Sequence, residues 1–451
     1  MSLGAWLPGV EITLVIPDAP GTGVTITGSG FDPNLFVWLT VEDLTDDTQP
    51  INGPTAFQPE SDGTFSHGDA VTLPCGHTFQ ARAFVQNAVA ASSSAVIPAC
   101  QPAPVATGPA DPQATNSANA VFADFLAAPT RSDHRLVIGQ ALRGWDFDHD
   151  LLEPVAQLAD KKVAEKPKFL EIDLTDFGDE ETGRSSYLYE RLQEHTKEGG
   201  LIGFSYHVAN PFTSSNSVRD RNGVEGNLSK LANPENPFTS GVAGLWQKRL
   251  NRIADVMGHF SDAVVLFRPF HESNGDWFWW GQRDPDGFRA MWKGVFRYLT
   301  GTKGLHNLLW VYSANRNAGG GPLTDPTRLY PGGDCVDLVG LDIYDDNLSD
   351  AALHKLGYSA MSNIGKPFAI TEYGAWNGDE SKKIPPHDGA VYLPNDKVIK
   401  IIKEDYPLTV LASAWYSQLD RTQTPPRCNN WQIGDKPNPK ALMEDPWAIT
   451  L

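Results

Sequence analysis

Short apolar runs punctuate the chain in two different rhythms. Up to about residue 100 they alternate with polar residues, as in Glu11-Ile12-Thr13-Leu14-Val15-Ile16, Gly23-Val24-Thr25-Ile26-Thr27, Leu35-Phe36-Val37-Trp38-Leu39-Thr40-Val41 and Gln80-Ala81-Arg82-Ala83-Phe84-Val85. Turn-forming clusters such as Gly28-Ser29-Gly30 and Asp62-Gly63 separate them, and no useful stretch has helical spacing. Period-two alternation broken by frequent turns predicts a small all-β sandwich over residues 1–100. Residues 101–119, QPAPVATGPADPQATNSAN, have no apolar period and read as a semi-extended linker.

From about residue 120 the rhythm changes. Continuous apolar runs of strand length recur: Leu136–Gln140, Lys168–Asp173, Leu201–His207, Val264–Glu272, Leu308–Tyr312, Val336–Tyr344, Pro367–Gly374 and Leu408–Tyr416. Between them lie segments of helical spacing, among them Asp150–Glu165, Ser185–Glu198, the set Leu245, Leu250, Ile253, Val256, Met257 and Phe260, the set Phe288, Trp292, Val295, Phe296 and Leu299, a helix within Ser349–Ile364, and Lys397–Glu404. Buried parallel strands read as unbroken apolar runs, because both of their faces are covered. Eight such strands alternating with helices predict a (β/α)8 TIM barrel over residues 120–451. A doubly wound open sheet is disfavoured, since no Gly-rich nucleotide turn follows the first strand. The polar loop from Asn210 to Ser240 is long enough to be functional or mobile.

Composition narrows the partners. The formal net charge of −19 argues against nucleic acid and anionic membranes, which need basic patches, and suits a neutral substrate. No apolar stretch reaches membrane-spanning length, and Met1-Ser2-Leu3-Gly4 leads into ordinary sequence rather than a secretion signal. Thirteen tryptophans are many for this length, and their clustering in loops, as at Trp277, Trp279 and Trp280, points to stacking on sugars. Of four cysteines, Cys75 and Cys100 are near enough for one disulfide, and Cys335 reads as a reduced core residue. No CxxC pair supports a Cys-based metal site.

In a TIM barrel the site lies where the strands end. The polar and aromatic residues there are His207, Arg268, His271, Glu272, Asp342, Tyr344, Glu372, Trp415 and Tyr416. His271-Glu272 is not an HExxH zinc motif, because Ser273, Asn274 and Gly275 follow it, and no G-x-S-x-G nucleophile elbow is present. Two glutamates at the ends of two strands, among many rings, suit glycoside hydrolysis, in which one carboxyl donates a proton and the other attacks. Arg268 lies four residues before Glu272, hence on the same face of an uninterrupted strand, where it could keep a carboxylate ionised, and Tyr344 could donate to the nucleophile.

Phe267-Arg268-Pro269-Phe270-His271-Glu272, with Gly275, Trp277 and Phe278-Trp279-Trp280-Gly281, resembles glycoside hydrolase family 26, chiefly β-mannanases. Ile370-Thr371-Glu372-Tyr373-Gly374 resembles that family's nucleophile strand. The resemblance covers about residues 120–450 and implies Glu272 as acid/base and Glu372 as nucleophile. It implies His207, Trp277, Tyr344 and Trp415 around the reacting sugar, with Arg268 and His271 beside them. The expected activity is retaining, endo-acting hydrolysis of β-1,4-mannan by a secreted monomer that needs no cofactor or metal. Mixed-linkage β-glucan and β-1,3-xylan are the alternative substrates, and a non-catalytic carbohydrate-binding barrel is the alternative of another class. Val24–Phe31 resembles the opening of immunoglobulin-like modules of the IPT/TIG type. With no cluster of exposed aromatics visible there, a spacer role is expected for that module, dispensable on soluble substrate.

Overall fold

The computed structural model describes residues 5–6, 9–15, 24–44, 55–69, 78–86, 88–92, 95–96, 106–143, 151–179, 181–233, 242–282, 284–316, 325–346, 348, 357–375, 393–417, 419–420, 427–428 and 430–451. Cys75 and Cys100 lie outside them. The chain divides into two compact units, Met1–Ala103 and Pro104–Leu451.

The first unit is all β. Its strands are β1 (Ala5–Trp6), β2 (Glu11–Val15), β3 (Val24–Ser29), β4 (Val37–Asp43), β5 (Thr55–Phe57), β6 (Phe65–Asp69), β7 (Thr78–Val85), β8 (Ala88–Ala91) and β9 (Ala95–Val96). One sheet runs β1-β8-β7-β4-β5, with β9 on β7, and the other runs β2-β3-β6. Pairing is antiparallel except between β1 and β8. Alternation works as the sequence predicts: Val37, Leu39 and Val41 of β4 and Phe79, Ala81 and Ala83 of β7 meet Ile12, Leu14, Val24 and Ile26 of the second sheet in one core.

The second unit is a closed parallel barrel. Its strands are β10 (Leu136–Ala141), β11 (Phe169–Asp173), β12 (Leu201–Tyr206), β13 (Val265–Pro269), β14 (Leu308–Asn315), β15 (Leu338–Tyr344), β16 (Phe368–Gly374) and β17 (Thr409–Ala414). They pair in chain order, and β10 closes the ring against both β17 and β11. Each of the eight predicted runs supplies one strand. The expected linker, by contrast, is only partly a linker. Ala106 N–H bonds Gly365 O at 3.4 Å, Ala110 N–H bonds Asp337 Oδ1 at 2.6 Å, and Asp111 pairs with His306 at 2.8 Å. Helix α1 (Asn116–Ala127) then begins, with Thr115 capping its first turn. Phe122 and Phe125 of α1 join Val137, Phe169, Leu266, Leu309, Leu338 and Leu411 in a cluster that fills the N-terminal end of the barrel.

Above that layer the inward positions turn polar with period two. Phe169 is followed inward by Glu171 and Asp173, Leu266 by Arg268, Val311 by Ser313 and Asn315, Leu338 by Gly340 and Asp342. The barrel therefore has an apolar floor and a charged upper storey, which is what positions the site. Outside the strands pack α2 (Glu153–Asp160), α3 (Gly183–Lys197), α4 (Val242–Gly258), α5 (Pro285–Arg297), α6 (Tyr358–Ser362), α7 (Asn395–Asp405) and α8 (Pro439–Met443). No helix among the described residues is long and apolar enough to cross a membrane.

The loop that follows β12 rests directly on α5. A methyl group on Gly294 would lie 2.1 Å from the carbonyl oxygen of Ala232 and 2.6 Å from its carbon. Backbone cannot swing aside as a side chain can, so Gly294→Ala is expected to destabilise the unit by about 1–3 kcal/mol. A lower urea midpoint at unchanged m-value would register it; an unchanged midpoint would show that the loop yields freely.

Candidate active site

β13 ends at Pro269, three residues before Glu272. Phe270 and Glu272 both have φ of +52°, a left-handed conformation that side chains disfavour. Two anchors hold it. The Phe270 ring is buried among Trp246, Trp279, Trp280, Phe288 and Trp292. The backbone N–H of Glu272 donates to Ser313 O at 3.0 Å, and its C=O accepts from Gly275 N–H at 2.9 Å. The face relation expected for Arg268 and Glu272 on one straight strand does not apply, because the turn between them re-aims Glu272. Glu372 also owes its direction to a local irregularity. Leu341 pairs with Ile370 but Asp342 pairs with Glu372, so Thr371 is an extra residue on β16. This bulge lets neighbours turn to the same side: Thr371 Oγ1 donates to Asp342 at 2.6 Å, while Glu372 faces Arg268.

Glu272, Asp342 and Glu372 each offer an oxygen within 4.8 Å of the others. Their surroundings differ. Glu272 accepts from Trp277 Nε1 at 2.8 Å and from Asn315 Nδ2 at 2.5 Å. Burial, then the neighbouring charge of Glu372, pushes its carboxyl up to about 7, against those two donors and Arg268. Glu372 faces a full cation, accepting from Arg268 Nη2 at 2.6 Å, and takes the Tyr344 hydroxyl at 2.6 Å on its other oxygen. Arg268 also donates to Glu171 at 2.5 and 3.0 Å and to Asp342 at 3.2 Å. Its side chain is only 3% exposed, so it braces carboxyls from below rather than meeting a ligand in the open cleft.

His207 stands at the end of β12. Its Nδ1–H donates to Asp173 Oδ2 at 2.7 Å, and its backbone N–H bonds the same oxygen at 3.0 Å. Burial opposes a charge on the ring, but Asp173 and then Glu372 outweigh it and raise the imidazole. His271 is the reverse case. Its buried ring lies edge-on to His207 with centroids 4.5 Å apart, and burial, Arg268 and His207 together hold it well below its ordinary value, hence neutral. Trp415 packs against Tyr416 at 4.6 Å, and with Glu171, Asp173, Ser205 and His207 they line a cleft of about 210 Å³. Glu272, Glu372, His207, Arg268, His271, Trp277, Tyr344 and Trp415 thus gather at one end of the barrel, although Arg268 and His271 are covered.

Glu171, Asp173 and Asn315 join the site without being among the residues expected from the sequence. The signal was present: Glu171 and Asp173 sit at alternate positions inside an apolar run and share its inward face. The stacking role expected of the loop tryptophans needs correction. Trp279 and Trp280 are 1% and 0% exposed, and they spend their indole N–H groups on Val208 O and His271 O, each at 2.8 Å. They are core rings that hold the Glu272 turn, and of the three only Trp277 reaches the carboxyl pair. Cys335 is free and buried as expected.

This geometry defines a parallel β/α barrel whose C-terminal end presents two carboxyls in unlike surroundings. The family model for glycosyl hydrolase family 26 matches residues 110–450, and the chain belongs to that family. It is 30% identical over 272 residues to a mannan endo-1,4-beta-mannosidase of Bacillus subtilis (strain 168), covering 57% of this chain and 64% of that protein. A second Bacillus subtilis mannan endo-1,4-beta-mannosidase is 35% identical over 238 residues, 51% of this chain and 59% of its own length. The matches therefore span less than two thirds of these curated relatives. The solved structure of a Bacillus subtilis mannanase superposes with a TM-score of 0.60 at 26% identity, covering 76% of this chain and 95% of that one. A ruminal endo-beta-1,4-mannanase shares the fold at TM-score 0.57 and 16% identity over 97% of this chain and 90% of its own.

Proposed function

We propose that the chain is a retaining endo-β-1,4-mannanase, with Glu372 as nucleophile and Glu272 as acid/base. The observation that carries the reading is the pair itself: one oxygen of each within 4.8 Å, in opposed electrostatic settings. Retaining enzymes hold their two carboxyls about 5–5.5 Å apart, whereas inverting ones need about 6.5–9.5 Å to admit a water. The choice of polymer follows the two curated relatives, both mannan endo-1,4-beta-mannosidases. An insoluble or long-chain mannan is met outside the cell, so this reading goes with a secreted enzyme.

In this mechanism a Glu372 oxygen attacks the anomeric carbon as the glycosidic C–O bond breaks, and Glu272 gives its proton to the departing oxygen. A covalent glycosyl-enzyme remains. Glu272, now ionised, takes a proton from water, whose oxygen attacks the same carbon and releases Glu372. Arg268 and Tyr344 orient the nucleophile, and Trp277 and Asn315 orient the acid. Reducing-sugar release from mannan, barley β-glucan and β-1,3-xylan tests the substrate, and proton NMR of the first-formed anomer tests retention. Release from glucan or xylan alone would move the chain to another substrate, and release from none would remove the enzymatic reading.

The acid must enter the reaction protonated. kcat/KM is therefore expected to fall as pH rises through about 7, where the Glu272 carboxyl loses its proton. The donors Trp277 and Asn315 favour the ionised form, so removing one should retain the proton to higher pH. Trp277→Phe is expected to move the alkaline limb upward while lowering the plateau. A limb that stays in place would assign it to another group.

A further inference from the structure

The N-terminal unit carries a feature that catalysis does not use. Along β4, Val37, Leu39 and Val41 face the core, so Trp38, Thr40 and Glu42 face the other way, although Thr40 is itself covered, at 6% exposed. Trp38 is 46% exposed, and Phe36, just before the start of β4, is 59% exposed. Strand register extends this across the sheet: Trp38 is opposite Ala56 on β5 and Phe84 on β7, and Phe84 is opposite Val89 on β8. Phe84 and Val89 are half-buried, as outward positions are. An apolar row with aromatic rings at its centre therefore crosses four strands, a length of roughly 14 Å at the usual strand spacing. Its flank is polar: in the next rows Thr40 pairs with Arg82 and Glu42 with Gln80, and Arg82 meets Glu42 at 2.9 Å.

We infer that this sheet face is a binding site for a neutral polysaccharide chain, the same polymer that the barrel cleaves. The choice of polymer rests on the proposed activity, whereas the binding face stands on its own geometry. Exposed Trp38 and Phe36, with half-buried Phe84 beside Trp38, offer apolar ring surfaces to the C–H faces of sugars. The Arg82–Glu42 pair offers donors and acceptors to ring hydroxyls, while Gln80 spends one amide N–H on Ser92 O at 2.9 Å. An internally neutral ion pair and a chain of net charge −19 disfavour a polyanion. A second protein is a poorer fit. A stable interface needs roughly 800 Å² from each partner, whereas an aromatic side chain contributes only about 150–250 Å² when fully covered. A row one side chain wide, with an ion pair on its flank, cannot supply that area, but it has the width of a single glycan strand. Tethering such a face to the barrel raises the local concentration of polymer at the cleft without any new catalytic contact.

Depletion of the full-length chain from solution by insoluble polysaccharide tests this. Glu372→Ala prevents digestion, and Trp38→Ala, Phe36→Ala and Trp38→Tyr are compared within it on mannan, insoluble β-glucan and β-1,3-xylan. Trp38→Ala is expected to weaken adsorption to the cleaved polymer about tenfold, as loss of a central ring at a small interface does. Phe36→Ala should weaken it less, and Trp38→Tyr should keep most of it. With Glu372 intact, Trp38→Ala should hydrolyse soluble oligosaccharide at the parental rate, because Trp38 belongs to the other compact unit and is not among the residues around the carboxyl pair. Lost adsorption to glucan by a chain that cleaves glucan would sustain this inference while the mannanase reading fails. Equal adsorption by the parent, Trp38→Ala and Phe36→Ala on every polymer would overturn it. So would a change of sedimentation with Trp38→Ala, which would make the face a contact between copies of the chain.

Discussion

Glu372→Ala, which removes the proposed nucleophile, is expected to reduce turnover on mannan by at least about 10⁴-fold, because the attack on the anomeric carbon is lost with it. Glu272→Ala should be nearly as severe on mannan, losing about 10²–10⁴-fold, the usual contribution of a positioned acid or base. The two losses differ in kind. An aryl glycoside with an acidic phenol needs no proton on its leaving oxygen, so Glu272→Ala should still form the glycosyl-enzyme from it. Without a base the intermediate accumulates, giving a burst and a lowered KM. Azide attacks without general-base help and should release that intermediate as a glycosyl azide of retained configuration. In Glu372→Ala azide can enter only where the carboxylate was, so any rescue should invert. Proton NMR of the azide product reads the stereochemistry directly. Inversion with Glu272→Ala and retention with Glu372→Ala would exchange the two roles.

Replacing Arg268 should have the second largest effect, on folding as well as rate. Its guanidinium is the cation that touches Glu171, Asp342 and Glu372, all buried. Arg268→Met keeps much of the volume and removes the charge, leaving carboxyls without their partner. A loss of about 3–5 kcal/mol at neutral pH is expected. The pH dependence has a definite sign. Burial already pushes Glu171 up against the pull of Arg268, and burial and then Glu372 push Asp342 up. Without Arg268 both rise further. A carboxyl whose folded value lies above its unfolded one contributes fully below the unfolded value, and that contribution is lost as pH rises through the folded one. The deficit of Arg268→Met should therefore be greatest near pH 7–8 and shrink towards about pH 4, as the cluster takes up protons. Urea denaturation at both pH values measures it. A deficit independent of pH would mean that Arg268 matters as packing, not as charge. Activity should be lost at every pH, since Glu372, the proposed nucleophile, loses its 2.6 Å anchor.

What could be read from the chain alone was whatever depends on short-range pattern. The eight barrel strands were legible because a parallel strand buried on both faces must be built on an apolar run, and Val264–Phe267 and Phe368–Ile370 are such runs. Glu272 and Glu372 stood out because a carboxylate within a few residues of the end of such a run has to be near a strand end. Two backbone irregularities decided their aim: positive φ at Phe270 and Glu272, and the extra residue Thr371. Neither has a signal in the sequence, since both are local strain held in place by distant packing. Burial was equally beyond reach. Trp277, Trp279 and Trp280 look alike in sequence, yet two are core rings and one touches a catalytic candidate, because their separation depends on where α4 and α5 lie. Phe122 and Phe125 seemed to follow the end of a linker until the barrel floor gave them partners. Trp38 and Phe84 stand far apart in the chain and form one row only by cross-strand register. Composition and periodicity are local properties and determined the elements and the kind of chemistry. Convergence of side chains is a long-range property, and only the closed barrel and the paired sheet could decide it.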